Sequence, residues 1–195
     1  MRFRRNDRCP RCRMHAGFCF CEHIPRIDLR TRVVLMVHRT EVRKPSATGP
    51  LALEVLANSE MRIHGFPDAP ITAQDLFVPD RRVLLVFPKP DAAVLSPAFL
   101  AADPRPLTLV FPDGNWGQAA RMARRIPGLA QAETAVLPQG PPSNWGLRKQ
   151  PRSDGLSTFE AIARAVGIAE SRSAQAQMES LFALMVQRTQ QGWLR

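Results

Sequence analysis

Asp113-Gly114-Asn115-Trp116 stands between a short apolar run and a stretch of helical composition. A carboxylate at such a strand-to-helix junction lies near backbone N–H groups that favour its charged form. Asp113 can there accept a proton or orient a substrate N–H. Gly114 permits a tight turn, and Trp116 offers a flat face to a base or a cofactor ring. The same four residues also fit an aspartate N-cap followed by a core tryptophan. A second polar loop opens at His38-Arg39-Thr40-Glu41 and runs to Thr48-Gly49. Here His38 and Glu41 are spaced to hydrogen-bond each other, and Ser46, Thr48 and the amide of Gly49 can meet an anion at a helix start. An ordinary polar loop with a threonine cap has the same composition.

The third group is Cys9, Cys12, Cys19 and Cys21. The spacing is C-x2-C, six residues, then C-x-C, and four thiolates surround one tetrahedral zinc well. The second pair is one residue shorter than a standard knuckle, which leaves His15 and His23 as substitute ligands. A redox or iron–sulfur site uses the same residue types, and disulfides would require an oxidising compartment. The segment is too short and polar to fold on apolar burial, so a structural metal would supply its folding energy. Arg2, Arg4, Arg5, Arg8, Arg11 and Arg13 flank it. They form either a phosphate grip or a solvated basic tail.

The elements that position these groups follow from hydrophobic patterning. Val33–Val37, Val83–Phe87, Leu107–Phe111 and Thr134–Leu137 are short apolar runs, as expected of strands buried on both faces. The last three end at Pro88, Pro112 and Pro138, which predicts that each strand closes there. Met61–His64 reads as a further short strand, and residues 66–81 as a connection. Helices are expected at 51–57, 97–102, 115–126, from Ser157 to a stop at Gly167, and at about 173–191. Ser157 and Glu160 form a capping box. Met178, Leu181, Leu184, Met185 and Arg188 recur at helical spacing, which is most simply core packing. Together these predict an α/β fold: a mainly parallel sheet with helices on both faces, preceded by a small N-terminal zinc-binding knob. The division is 1–29 for the basic cysteine segment and 30–195 for the catalytic domain. Ligands of open parallel sheets bind beyond the carboxyl ends of the strands. No Gly-x-Gly-x-x-Gly fingerprint or P-loop is present.

The 195 residues carry 27 Lys and Arg against 17 Asp and Glu, a net charge of +10 with a pI near 11.0. That balance suits nucleic acid or another anionic surface and does not choose among RNA, DNA and lipid. No apolar run reaches the length of a membrane span. The basic N-terminus leads into cysteines rather than into a signal sequence. A cytoplasmic protein is expected.

The order of motifs resembles the DTW-domain family, tRNA-uridine aminocarboxypropyltransferases related to the SPOUT superfamily. The hallmark Asp-x-Thr-Trp, followed by Gln or Glu and Ala, reads here Asp113-Gly114-Asn115-Trp116 with Gln118-Ala119. The cysteines, the His38-x-x-Glu41 loop ending at Thr48-Gly49, and Leu156-Ser157-Thr158-Phe159-Glu160-Ala161 also match. One residue departs: Asn115 stands where the family has threonine. The resemblance implies a SPOUT-like, knotted fold and S-adenosylmethionine as donor of the 3-amino-3-carboxypropyl group. The acceptor it implies is N3 of a tRNA uridine, expected in the variable loop, and 5′-methylthioadenosine leaves. It implies catalytic roles for Asp113, Trp116, His38 and Glu41. The donor would be held at Phe87, Pro88, Phe111, Pro112, Gly114, Asn115, Leu137, Pro138, Leu156 and Thr158. Arg43, Lys44, Arg148 and Lys149 would meet tRNA phosphates. A methyltransferase of the same fold and a non-catalytic zinc-knob RNA-binding protein are the alternatives. Monomer and homodimer are both compatible with the sequence.

Overall fold

A computed structural model describes residues 8–146 and 155–193. Six strands form one sheet: β1 (Arg32–His38), β2 (Ser59–His64), β3 (Arg82–Val86), β4 (Ala93–Val94), β5 (Leu107–Asp113) and β6 (Glu133–Val136). Five helices accompany them: α1 (Leu51–Val55), α2 (Pro97–Ala101), α3 (Trp116–Arg125), α4 (Thr158–Ala169) and α5 (Arg172–Trp193). The sheet order is β2-β1-β5-β3-β6-β4, and every pairing is parallel.

Alternation along the central strands explains their continuous apolar runs. Val33, Leu35 and Val37 of β1, with Leu109 and Phe111 of β5, face a core shared with α1, α4 and α5. Val34, Met36, Leu85 and Val110 face the opposite core, which Met122 and Ala123 of α3 cover. A strand buried on both sides has no polar face to show. The cysteine segment folds onto the first of these cores. Phe20 is fully buried there, Arg11 pairs with Glu54 of α1 at 2.9 Å, and Phe18 packs near Gly192 of α5.

Two predicted ends move. Pro112 lies inside β5, in register with Met36 of β1. Pairing of β5 with β3 ends at Val110, so the proline sits where β5 keeps a single neighbour and one missing donor is tolerated. α4 passes through Gly167 to Ala169. Gly167 serves close packing rather than termination, because a Cβ there would collide with the Gln175 side chain of α5. The two-residue β4 was not predicted, being too short to carry a pattern.

Connections set the place of the site. β1 leads outward to β2, β3 leads the other way toward β4, and β5 inserts between β1 and β3. Beyond the carboxyl end of β5 the loops therefore diverge and leave a crevice.

Candidate active site

Asp113 ends β5 at the floor of this crevice and is 6% exposed. Thr158, the first residue of α4, donates its hydroxyl to Asp113 Oδ1 at 2.7 Å. Ser157 and Glu160 form the expected capping box, which fixes this helix start and so the direction of Thr158. The loop after β1 locks the same corner. Phe159 N–H donates to Thr48 Oγ1 at 3.3 Å. Gly49 approaches so closely that a Cβ would lie 2.8 Å from Asp113 Oδ2 and 3.2 Å from Thr158 Cγ2.

The aspartate is not the cap of α3. Asn115 is: its side chain accepts from Gln118 N–H, and the Gln118 side chain accepts from Asn115 N–H, each at 2.9 Å. A capping box explains how asparagine serves in place of threonine at this position. It also releases Asp113 from a helix-terminal role. Gly114 lets the box close, since a Cβ there would sit 2.9 Å from Gln118 Cβ.

Above Asp113 lies a cavity of about 370 Å³, bounded by Phe87, Pro88, Phe111, Pro112, Gly114, Asn115, Leu156 and Thr158. It continues past Phe87 and Trp116 into a space of about 430 Å³ that includes Leu137 and Pro138. The ten residues expected to hold a donor thus line one continuous cleft. Trp116 stands at the junction, its ring 6.0 Å from that of Phe87, and is 38% exposed. Such a half-open aromatic pair can take a flat ring against it.

Other expected residues lie apart. His38 ends β1 beside the cleft rather than in its lining; its Nδ1 pairs with Thr40 Oγ1 at 2.8 Å instead of with Glu41. Burial, then the neighbouring His64 and Arg39, holds the His38 ring below the usual histidine pKa. Glu41 is buried and accepts from Lys44 Nζ at 2.5 Å, whereas Arg43 is exposed. Arg148 and Lys149 lie outside the described residues.

Residues outside the expected catalytic and donor-binding sets also reach the site. Ser46, Ala47, Trp145 and Ala161 line the cavity. Arg13, directly after Cys12, donates to Val42 O at 3.1 Å, and the charge of Asp113 acts on it against the lowering effect of burial. Arg13 adopts φ +60°, a left-handed conformation unusual for a residue with a side chain. Within one strand or loop nothing signals such contacts across the chain.

The four cysteine Sγ atoms all lie within 4.8 Å of one another, with Cys9–Cys21 at 3.4 Å and Cys12–Cys19 at 3.7 Å. Thiolates about 2.3 Å from a tetrahedral metal would be spaced similarly. Burial pushes the Cys21 thiol up to about 12. At Cys9 burial acts the same way, but hydrogen bonds from the backbone of Cys12 and Arg11 overcome it and hold the thiol at about 7. His15 and His23 are outside the cluster.

A parallel α/β sheet with a buried carboxylate and an aromatic-walled cleft at its switch point defines a ligand-binding protein of the open-sheet class. The chain belongs to the DTW domain family, whose model matches residues 6–190. Among curated proteins it is similar to tRNA-uridine aminocarboxypropyltransferase 2 of Drosophila melanogaster, at 27% identity over 86% of this chain and 68% of that protein. The same-named proteins of Macaca fascicularis and Mus musculus are each 25% identical over 87% of this chain. The chain spans only 59% and 58% of those two proteins. Among solved structures, the SAM-dependent rRNA:acp-transferase Tsr3 from Vulcanisaeta distributa aligns with a TM-score of 0.45 at 17% identity. That alignment covers 78% of this chain and 74% of that chain. No helix among the described residues is long and apolar enough to cross a membrane.

Proposed function

We propose that this chain transfers the 3-amino-3-carboxypropyl group of S-adenosylmethionine to N3 of a tRNA uridine in the variable loop. The observation that carries the reading is the Asp113 carboxylate, held by Thr158 at the floor of an aromatic-walled cleft. Family membership and the names of the relatives support it.

The sulfonium activates all three of its carbons, so selection of one is a matter of orientation. The cleft would hold the adenosyl part between the strand-end prolines and the Phe87–Trp116 pair. The aminocarboxypropyl methylene then faces the acceptor and the methyl group faces away. Uridine N3 carries a proton and attacks poorly until it is lost. Asp113 accepts that proton. N3 bonds to the methylene carbon, the carbon–sulfur bond breaks, and its electron pair stays on sulfur as 5′-methylthioadenosine leaves. Thr158 fixes the carboxylate through Oδ1, while Oδ2 is turned inward against Gly49. His38 and Glu41 organise the loop that borders the acceptor. Arg43, Lys44, Arg148 and Lys149 meet tRNA phosphates.

The cysteine cluster fits zinc: four sulfurs, tetrahedral spacing and no open position, as in a structural site. Its role would be to fold residues 9–21 onto α1 and α5. A reducing, cytoplasmic setting suits free thiolates.

The test is incubation with tRNA and donor labelled either in the methyl or in the carboxypropyl group, followed by mass spectrometry of nucleosides. Carboxypropyl label in uridine with release of methylthioadenosine is the expected result. Methyl label in RNA would instead make the protein a methyltransferase, and tRNA binding without turnover would make it a binding module.

A further inference from the structure

The geometry points to a second nucleotide subsite at the free ends of β1 and β2, where Phe66 and Arg39 take the base that flanks the target uridine. This inference rests on the proposed reading of the cleft as an RNA-modifying site.

The patch is built rather than incidental. His38 and His64 are register partners on adjacent strands, with rings 6.2 Å apart. Just beyond them Arg39 N–H donates to His64 O at 2.9 Å, tying the two loops together. Gly65 then turns the chain at φ +107°, and a Cβ there would lie 3.3 Å from Arg39 Cγ. A glycine is therefore needed for both the turn and the approach of the arginine stem. The consequence is that the Arg39 guanidinium carbon lies 5.9 Å from the centre of the Phe66 ring. Phe66 belongs to neither hydrophobic core and is 47% exposed. An aromatic ring with a guanidinium beside it, open to solvent, is the platform on which unstacked bases are held.

Charge and position select the occupant. Arg39 and Arg121 are both exposed, and both act electrostatically on His38. Burial, then His64 and Arg39, lowers the His38 pKa, and its Nδ1 is engaged by Thr40. Thr40 Oγ1 is shared between His38 Nδ1 at 2.8 Å and Gln118 Nε2 at 3.1 Å. Gln118 is the capping partner of Asn115 on the cleft wall, so the patch and the cleft are mechanically one surface. β5, β1 and β2 are successive neighbours in the sheet. Ile63 is level with Asp113 across two strand spacings, roughly 10 Å, and Phe66 lies three residues further along the chain. Stacked bases are about 3.4 Å apart. A strand reaching both places must splay its bases, as loop recognition in RNA requires. One ring is too small an apolar area for a stable protein interface.

The experiment compares the wild type with Phe66→Ala, Phe66→Trp and Arg39→Ala, using tRNA and a matching stem-loop abasic at the position 5′ or 3′ of the target. Phe66→Ala should raise the KM for RNA about ten-fold, within the range of a lost base–aromatic stack. Phe66→Trp should restore it, and the dissociation constant of the donor should stay the same. On one of the two abasic RNAs, wild type and Phe66→Ala should bind alike. If Phe66→Ala binds intact RNA as the wild type does, or loses as much on both abasic RNAs as on intact RNA, the subsite is refuted. Methylthioadenosine release by the wild type is scored separately. Absence of turnover with an abasic-sensitive effect of Phe66→Ala would end the transferase reading and leave the subsite standing.

Discussion

In the cysteine segment, the four candidate metal ligands all fall between Cys9 and Cys21 and meet through local backbone alone. In the cleft, Asp113 meets Thr158 from 45 positions away, and Thr48 meets Phe159 from 111. The first region buries Phe18 and Phe20 but is otherwise largely polar, the composition of a segment that a metal ion could order. The second depends on two hydrophobic cores that hold β5, the loop after β1 and the start of α4 in mutual contact. Local chemistry and long-range packing thus divide the work. The segment closes one flank, and the sheet positions Asp113 and Thr158. The two regions touch through Arg13, which belongs to the cysteine turn and senses the charge of Asp113.

The largest expected effect tests the cleft alone. Asp113→Asn keeps an oxygen for the Thr158 hydroxyl and nearly the same volume, so the fold should persist. Turnover should fall by about 10²–10⁴, the usual contribution of a positioned proton acceptor. Methylthioadenosine release measures it, and full activity in this variant would remove Asp113 from the chemistry.

Chelation of the metal proposed for the cysteines, or Cys12→Ser, tests whether the two regions separate. Amides of residues 9–24 should lose hydrogen-exchange protection while β1, β3 and β5 keep theirs. The melting temperature should fall by about 2–4 °C for each kcal/mol lost in a chain of this size. Simultaneous loss of protection in the central strands would show one cooperative unit instead.

Gly49→Ala sharpens the contrast from the packing side. Its Cβ would meet Asp113 Oδ2, Leu35 and Thr158 within 3.2 Å. Overpacking of this kind costs roughly 1–3 kcal/mol. Activity should fall more than stability predicts, since the displaced groups are the carboxylate and its hydroxyl partner. Chemical denaturation and turnover on the same variant check this. Unchanged turnover would mean that the corner is looser than its contacts indicate.

The smallest effect lies at the opposite end of the strands, just before β1. Burial raises the Glu170 carboxyl, but the backbone N–H groups of Arg30 and Thr31 outweigh it and leave the pKa below the ordinary value. A lowered folded-state pKa gives stability that is present above the ordinary carboxylate range and fades as pH falls through the lowered value. Glu170→Gln should therefore flatten the acid side of the stability profile slightly and leave the cleft unaffected. Melting curves at several pH values measure the slope.

Much of this architecture was legible in the chain. Val33–Val37, Val83–Val86 and Leu107–Phe111 announce themselves as strands because both their faces are buried. The box of Ser157 and Glu160 announces a helix start because its two hydrogen bonds are local. Prolines 88, 112 and 138 correctly marked one edge of the sheet. They misplaced the end of β5, because whether a strand tolerates proline depends on its neighbour and not on itself. Gly167 failed for the same reason: its use is set by the Gln175 side chain of another helix.

The Asp113 turn shows where that boundary falls. The sequence determined that a carboxylate, a glycine, a capping residue and a tryptophan would follow a buried strand. These are properties of neighbours in the chain. Only the tertiary structure decided that Thr158 fixes the carboxylate, that Gly49 must lack a side chain and that Phe66 stands open beside Arg39. Those facts depend on which distant segments the two cores press together. No single segment carries that information.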